Sequence, residues 1–505
     1  MTQPDLANVL AETQAPSVPL DRFRALHVER DWVHSLVRWL DLEPGATAPT
    51  RDAVIARLTL EIASIDRLVS AQLDAILHHP ELARLEASWR GLYRLHETRV
   101  RLAGNQPDVV RLRVLDLSWS ELTRDLSRVP DFEQTQLFRL VYSEEFDQPG
   151  GEPFGVLLGD YSVTHRRIPG HKDDVGTLRT LSTIAAASFS PFVAGADPSL
   201  FGLDAFADLE RPVALGRTFR ADEYASWNSL RKEGDSRFIA LTLPRVLVRR
   251  PYRDDPSRVD GFRYVEAGSP DGGPPPLFGN AVFAFGEVLL RAFVETRWLA
   301  AIRGVERDGE GRGLVADLPH DWHAPELQGV VSRGSLEVQL TESQEQELNE
   351  LGFMPLVRCH GTPFSAFYGN QSIQDWRAAV VPGDRKSTAV TNAKLSSMLQ
   401  YMFCVSRFAH YVKILVRDKV GSYSSAKEIE RLLSDWLIKY ATANVGATAE
   451  AQAKYPLRDA RVDVTERPGA PGVYRCRVDL QPHYQLDQLA TSISITTELF
   501  TGYEM

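Results

Sequence analysis

The stretch from Asn392 to the C-terminus constrains the fold most, because its apolar residues change from helical to strand spacing along the chain. In its first part they recur every three or four positions, which predicts a packed α-helix, at Leu395, Leu399, Met402, Val405, Ala409, Val412 and Val416. Gly421 can end this helix, and Ser425 with Glu428 has the form of a capping box that begins a second amphipathic helix. Two such helices in tandem require a sheet or further helices against their apolar sides.

Strand spacing follows the second helix. Apolar or β-branched residues alternate with polar ones in three runs: Ala460 to Val464; Tyr474, Cys476, Val478 and Leu480; and Leu489, Thr491, Ile493, Ile495, Thr497 and Leu499. This pattern predicts an antiparallel three-strand meander with one face buried. A strand so close to a chain end leaves an edge that is either blunted or pairs with another chain.

The remaining chain mixes helical and strand patterns without a regular βαβ alternation, so we expect an α+β fold. Residues 1–20 are polar and contain proline, which predicts a flexible arm. Helical patterns at 22–40, 51–77 and 81–97 predict a helical section, and Leu82, Leu85, Trp89, Leu92 and Leu95 form the apolar side of its third helix. Strands are expected at 109–117, 154–163, 237–248, 336–340 and 353–359, and helices at 131–145, 178–192 and 281–302. The expected domains are 1–20, 21–105, 106–390 and 391–505.

Charge and cysteine usage narrow the class of protein. Lysine and arginine number 57 against 67 aspartates and glutamates, and the net charge of -10 argues against nucleic acid as the main partner. Three widely spaced cysteines indicate a reducing compartment without a disulfide framework. No signal-peptide pattern opens the chain, so we expect a cytoplasmic location. The apolar run 283–302 carries Glu287, Arg291 and Glu295 at steps of four, which predicts a solvated helix face and no membrane span.

Sequence motifs for catalysis, nucleotide binding or metal binding are weak throughout the chain. Residues 383–388 lack the glycines of a phosphate loop, and His320 and His323 stand between prolines that favour a polar turn over a metal site. The basic cluster at Arg245, Arg249, Arg250 and Arg253 is expected to form surface ion pairs with Asp254 and Asp255. We therefore predict no catalytic residue, cofactor or metal. An enzyme assembled from distant residues would use His410, Asp160 and Glu152, although a structural hydrogen bond is the favoured role for His410.

Five segments resemble the large subunit of the contractile sheath of bacterial type VI secretion systems. They are LEASWRGL at 85–92, GGEPFG with GDY at 150–161, DSRF to LPR at 235–245, VSRFAHY with Lys413 and Arg417 at 405–418, and PLRDA with two Pro-Gly pairs and Pro-His at 456–483. The resemblance runs from about residue 80 to the C-terminus. A sheath subunit of another phage-tail-like contractile device, or a soluble enzyme, remains the alternative.

This resemblance implies a structural protein without cofactor that forms a heterodimer with a small sheath subunit. The heterodimers would polymerise into a tube around an inner tube of hexameric rings, attached to a baseplate, and contraction would propel that inner tube. An AAA+ unfoldase would recycle the contracted sheath, and neither nucleic acid nor membrane is an implied partner.

Two sets of site residues follow as hypotheses. Strands exchanged between protomers would connect the lattice, and we expect the tail to supply one through Leu489, Thr491, Ile493, Ile495, Thr497 and Leu499, with a contribution from the N-terminal arm. The second tail helix is expected to face the lumen and contact the inner tube through Glu430, Arg431, Asp435 and Lys439.

Overall fold

A computed structural model describes most of the chain from Arg51 onward. The described residues are 51–104, 109–165, 173–211, 213–253, 262, 264–266, 276–304, 312–320, 334–360, 362–379, 387–417, 425–442, 444, 448–466, 474–483 and 493–499. The arm expected at 1–20, the helix expected at 22–40, the helix stop at Gly421 and the exchange residues Leu489 and Thr491 lie outside them.

The helices are α1 (Arg51–Leu77), α2 (Pro80–Ala103), α3 (Trp119–Arg128), α4 (Gln136–Phe138), α5 (Asp174–Ser188), α6 (Leu215–Thr218), α7 (Ala225–Arg231), α8 (Val282–Thr296), α9 (Glu342–Glu350), α10 (Ser387–Ser396), α11 (Leu399–Arg417), α12 (Ala426–Ile438) and α13 (Ala449–Lys454). The strands are β1 (Leu157–Val163), β2 (Phe192–Ala196), β3 (Ile239–Leu243), β4 (Val246–Leu247), β5 (Phe278–Gly279), β6 (Leu314–Val315), β7 (Met354–Arg358), β8 (Ser365–Phe367), β9 (Leu457–Glu466), β10 (Tyr474–Pro482) and β11 (Ile493–Leu499). A π-helical turn at Arg139–Ser143 continues α4.

The largest sheet has six strands in the order β1-β2-β3-β7-β8-β6. Its first four strands are parallel, and β8 runs antiparallel to both neighbours. Alternate residues of β2 and β3 enter different cores: Phe192 and Ile239 pack on the α5 side, whereas Val193 and Ala240 pack on the α8 side. The sheet is therefore covered on both faces, and the mixture of parallel and antiparallel strands agrees with the α+β class.

The C-terminal meander is present as expected. Strands β11, β10 and β9 form an antiparallel sheet in that order. Leu457, Val464, Cys476, Val478 and Leu480 point into a third core built with α11 and α12. The exposed and buried positions alternate along β10, so the period-two pattern identified the buried face correctly.

The first of the two helices expected before the meander, with apolar residues from Leu395 to Val416, is instead two helices, α10 and α11. The chain leaves helical geometry at Ser397 and Met398, where a distant segment takes its hydrogen bonds. The carbonyl of Ser397 accepts from the backbone N–H of Ser372 at 3.0 Å and from its hydroxyl at 2.6 Å. The N–H of Leu399 donates to the carbonyl of Asn370 at 2.8 Å. These long-range bonds replace the helical ones and end α10 without a glycine.

Helix α11 contributes to all three cores. Met402 lies in the core around α5, Leu399 and Phe403 lie in the core around α8, and Phe408 and Val412 lie in the core of the C-terminal sheet. Every residue from 399 to 406 is buried. This helix therefore connects the six-stranded sheet to the C-terminal meander as one packed body.

Several other local expectations were wrong. Residues 111–117 form neither a helix nor a strand among the described residues, and α3 begins directly after them at the capping box of Ser118 and Glu121. The helix expected at 178–192 is α5, but it ends at Ser188, and Phe192 is already the first residue of β2. The run 336–340 forms only a single bridge, between Leu336 and Val246. Helix α8 ends at Thr296, because Arg297 adopts a left-handed conformation. No helix in the described part of the chain has the length and apolarity needed to cross a bilayer.

Two compact units divide the chain: 1–86 with 249–277, and 87–248 with 278–505. In the first unit Arg249 is buried and donates to Glu266 at 2.6 Å and to Glu86 at 2.8 Å, and His78 Nε2 lies 3.1 Å from Glu266. Burial opposes ionisation of Glu266, but hydrogen bonds from Arg249 and the Tyr252 N–H outweigh it and lower its pKa. The expected surface cluster is thus wrong at Arg249, which anchors this unit from inside. The expected domain boundaries stay predictions.

Candidate assembly surfaces

The tail strand β11 pairs with β10 from Tyr474 opposite Leu499 to Leu480 opposite Ile493. Four of the predicted exchange residues, Ile493, Ile495, Thr497 and Leu499, occupy alternate positions of this strand. Because β11 is last in the order of its sheet, no described strand covers its outer edge. Residues 483–492 connect β10 to β11, which is longer than the two to five residues that most hairpins use.

The opposite edge of the same sheet, at β9, is partly covered. The carboxylate of Glu430 accepts a hydrogen bond from the N–H of Val464 at 3.4 Å. At the start of β9 the Leu457 N–H donates to the Tyr440 carbonyl at 3.1 Å, and its carbonyl accepts from the Thr442 N–H at 2.8 Å. Side-chain and loop contacts therefore occupy both ends of the β9 edge, whereas no described strand pairs with the outer edge of β11.

Helix α12 buries Ile429, Leu433 and Leu437 against the C-terminal sheet. Arg431, Asp435 and Lys439 are exposed on its other side at steps of four residues. Glu430 is not on that side, because it is half-buried and bonds to β9. Three of the four residues predicted to contact the inner tube therefore share one exposed face. Arg431 and Asp435 lie 3.9 Å apart, and such an exposed pair contributes little to stability.

Polar side chains of α11 hold it against the body. His410 Nε2 is 2.9 Å from the carbonyl of Ser188, and its ring packs on Phe146 and Phe189. Burial lowers the pKa of His410 to about 4, so the ring is neutral at pH 7 and Nε2 donates to the carbonyl. Lys413 lies 3.0 Å from Asp147 and 3.7 Å from the Phe146 ring centre. The structural role expected for His410 is confirmed.

The other two residues of the enzyme alternative lie in separate contacts. Asp160 accepts a hydrogen bond from Ser88, and Glu152 pairs with Arg111 at 2.6 Å, both at exposed sites. His320 contacts the Ser335 hydroxyl, while His323 lies outside the described residues. No cluster of three or more His, Cys, Asp or Glu residues suited to a metal ion occurs in the part of the chain that the structure describes.

Helix α2 packs on the body through small residues, which the sequence reading missed. Ala87, Gly91 and Thr98 are buried together with Leu95 of the expected apolar side, whereas Leu85 and Trp89 of that side are exposed. A Cβ atom placed on Gly91 would lie 2.2 Å from Cδ2 of Phe283. Glycine inside a helix costs roughly 1 kcal/mol relative to alanine, so Gly91 was the available signal of a close helix contact.

A buried ion pair fixes the same helix to α8. Arg94 donates through two nitrogens to the Glu287 carboxylate, at 3.0 Å for Nη2, and to the carbonyls of Ala316 at 2.7 Å and Asp317 at 2.8 Å. Glu287 is only 1% exposed, so the solvated charged face expected on α8 is wrong at this position. Burial raises the pKa of Glu287, and the bond from Arg94 offsets only part of that effect.

Comparison with known proteins gives two family matches and one close relative. Residues 59–374 match the family VipB, described as EvpB/VC_A0108, tail sheath N-terminal domain, and residues 388–499 match VipB_2, the EvpB/VC_A0108 tail sheath gpW/gp25-like domain. The type VI secretion system sheath protein TssC1 of Pseudomonas aeruginosa is 36% identical over 447 residues, which cover 88% of this chain and 86% of the relative. A sheath tail protein from Desulfitobacterium hafniense covers 65% of this chain and 61% of its own, with 8% identity and a TM-score of 0.29.

Proposed function

Because the chain belongs to the EvpB/VC_A0108 tail sheath family and is a structural subunit of a type VI secretion sheath, we propose that it pairs with a second, small sheath polypeptide and polymerises by exchanging C-terminal strands. In the proposed assembly β11 leaves its own sheet and completes the same sheet of a neighbouring protomer. The sheath then surrounds an inner tube in the cytoplasm, and contraction propels that tube. We assign no reaction to the chain.

The edge position of β11 in its sheet and its long connection to β10 carry this proposal. Ten residues, 483–492, separate β10 from β11, and fully extended they reach about 35 Å. A strand on such a connection retains its backbone pairing when it moves to a neighbour, because the hydrogen bonds with β10 are the same in both arrangements. The half-covered edge of β9 favours exchange at β11 over addition of a new strand at β9.

Strand exchange suits a lattice that contracts. Backbone pairing keeps protomers connected, and the ten-residue connection lets each packed body rotate and slide as a unit. The work of contraction then comes from the difference in free energy between two packings of the same bodies. The extensive packing of α11 supports movement of each protomer as a unit, because this helix holds the C-terminal sheet firmly to the six-stranded sheet.

The exposed face of α12 is the proposed contact with the inner tube. Arg431, Asp435 and Lys439 present two cations and one anion on a helix whose other side is fixed by the sheet core. Charged side chains on a rigid helix give orientation and release more readily than an apolar surface, which suits a contact that must hold and then slide. The baseplate and an AAA+ unfoldase that recycles contracted sheath remain further proposed partners.

The test is truncation of the tail in cells that also produce the second sheath polypeptide. Removing residues 489–505 should leave a soluble heterodimer, because all three cores described above lie before residue 489, and should abolish long sheaths in sedimentation and electron microscopy. Removal of residues 500–505 alone keeps β11 and serves as the matched control. Normal sheaths from the longer truncation would contradict strand exchange.

A further inference from the structure

Arg407 of α11 is a half-buried cation that forms no ion pair with a described carboxylate. Its guanidinium carbon lies 4.5 Å from the ring centre of Phe293, 5.1 Å from that of Tyr411 and 5.8 Å from that of Trp298. We call these three rings the Arg407 cage, and their cation–π contacts hold the group in place. An arginine that leaves water is ordinarily paired with an anion as well, so the cage indicates an anionic partner beyond the described residues.

The hydrogen-bond donors of Arg407 are only partly used. One terminal nitrogen, Nη2, donates to the Tyr411 hydroxyl at 2.8 Å. Nε is buried without an acceptor, while Nη1 is not buried and makes no hydrogen bond with a described residue. Burial and the charge of the nearby Arg297 lower the pKa of Arg407. A carboxylate bound at Nη1 and Nη2 would offset both effects, because it stabilises the charged guanidinium.

The cage lies at the end of the C-terminal sheet where β10 ends and β11 begins. The Tyr440 ring centre is 5.2 Å from that of Trp298 in the cage. The Tyr440 carbonyl accepts from the Leu457 N–H at 3.1 Å, and Leu457 pairs with Pro482, the last residue of β10. Ile493, the first residue of β11, pairs with β10 two residues before that end. The connection between the two strands therefore begins and ends on the side of the sheet where the cage lies.

The connection 483–492 combines this position with the required charge. It contains a single acidic residue, Asp487, which lies outside the described residues, and no lysine or arginine. Glu498, in β11 itself, stands opposite Arg475 near the other end of the strand. Asp487 precedes Ile493 by six residues, which span up to about 20 Å. A strand that joins the sheet of a neighbour can therefore bring this carboxylate to the neighbour's cage.

We propose that Asp487 of one protomer pairs with Arg407 of the protomer whose sheet its β11 completes. This inference rests on the proposed strand exchange and adds a contact that fixes its register. Side chains of a strand alternate with a period of two, so a slip by two residues would keep the same face of β11 on the core. The same slip would carry the connection about 7 Å along the sheet and break an ion pair formed at one fixed position.

Charge reversal tests the pair in cells that also produce the second sheath polypeptide. Arg407→Glu and Asp487→Arg should each leave a soluble heterodimer but lower the amount of sheath recovered by sedimentation about tenfold or more, because like charges then meet. Both changes in one chain should restore most of the sheath. The mismatched control, Asp487→Arg with Arg461→Glu at an exposed position of β9, should not restore it.

Co-expression of the two single variants shows whether the pair joins different protomers. A lattice in which Arg407→Glu and Asp487→Arg chains alternate places opposite charges together at every exchange contact, although neither chain has a matched pair of its own. We expect sheath to be recovered from this mixture. Recovery from the double variant but not from the mixture would place the pair within one chain and overturn the proposal.

Chemical cross-linking keeps the test decisive where charge reversal in the cage prevents folding. Arg407→Lys retains the cation, and a carbodiimide should join its amine to the Asp487 carboxylate in assembled sheath, a link that peptide mass spectrometry identifies. Asp487→Asn in the same chain should abolish the link. A link to any other acidic residue, or no link in assembled sheath, would contradict the pair.

Failure of the ion pair and failure of strand exchange give different results. Normal amounts of sheath from both Arg407→Glu and Asp487→Arg would refute the pair and leave strand exchange intact. Normal sheath after removal of residues 489–505 would instead contradict the proposed function, on which the pair depends.

Discussion

Replacement of Arg94 by methionine tests most directly how much its buried ion pair with Glu287 contributes to the free energy of unfolding. Methionine retains most of the aliphatic stem but removes the guanidinium that bonds to Glu287 and to the carbonyls of Ala316 and Asp317. Glu287 is then a buried carboxylate without its cation. Removing one partner of a buried ion pair costs about 3–5 kcal/mol of unfolding free energy. We expect about 3 kcal/mol, because Glu287 can take up a proton and limit the loss.

The pH dependence of this loss has a definite sign. Burial already raises the pKa of Glu287 in the folded chain, and loss of Arg94 raises it further. Between the ordinary pKa and the raised one, the folded state holds more protons than the unfolded state, so stability falls as pH rises through that window. The deficit of the Arg94→Met variant relative to the unaltered chain should therefore be smaller at pH 5 than at pH 8.

Urea unfolding followed by tryptophan fluorescence measures both quantities. Arg101→Met is the matched control, because Arg101 lies on the same helix and pairs at 3.1 Å with Asp317, with both side chains more than half exposed. Its loss should cost less than about 1 kcal/mol. The double variant Arg94→Met with Glu287→Leu should recover at least half of the stability, since an apolar pair needs no desolvation. A loss below about 1 kcal/mol for Arg94→Met, with no change in pH dependence, would refute the reasoning.

Two further predictions concern α11 and α12. His410 has a folded pKa of about 4, below its ordinary value, so it should contribute stability that is lost as pH falls from about 6.5 to 4. In this pH range the urea midpoint of His410→Gln should therefore depend less on pH than that of the unaltered chain. Equal pH dependence of the two urea midpoints would contradict the prediction. Arg431→Glu and Lys439→Glu should leave sheath assembly intact but reduce the amount of inner tube that copurifies with the sheath. The control Lys454→Glu, also at an exposed lysine, should leave that amount unchanged. Full retention of the inner tube in the first two variants would count against the lumen contact.

The C-terminal sheet was predictable because residues close together in the sequence determine its strands and its buried face. Period-two alternation assigns one face to the core, and the capping box of Ser425 and Glu428 begins α12 as expected. The break between α10 and α11 was not predictable in this way. It depends on hydrogen bonds from Asn370 and Ser372, residues about 25 positions away that no local pattern connects to Ser397.

The exposed apolar residues of α2 were harder to recognise, because large apolar side chains were expected to be buried. On α2 the large residue Trp89 lies outside, and the small residues Ala87 and Gly91 lie inside, where close approach to α8 leaves no room for more. Similarly, the sequence around Glu287 predicts a surface charge, because its partner Arg94 lies nearly two hundred residues earlier in the chain.

The most direct test of the sheath role is negative-stain electron microscopy of the full chain co-expressed with the second sheath polypeptide. We expect long hollow tubes that require both chains and disappear when residues 489–505 are removed. Discrete soluble particles from the two full-length chains, with no tubes under any assembly condition, would contradict the sheath role.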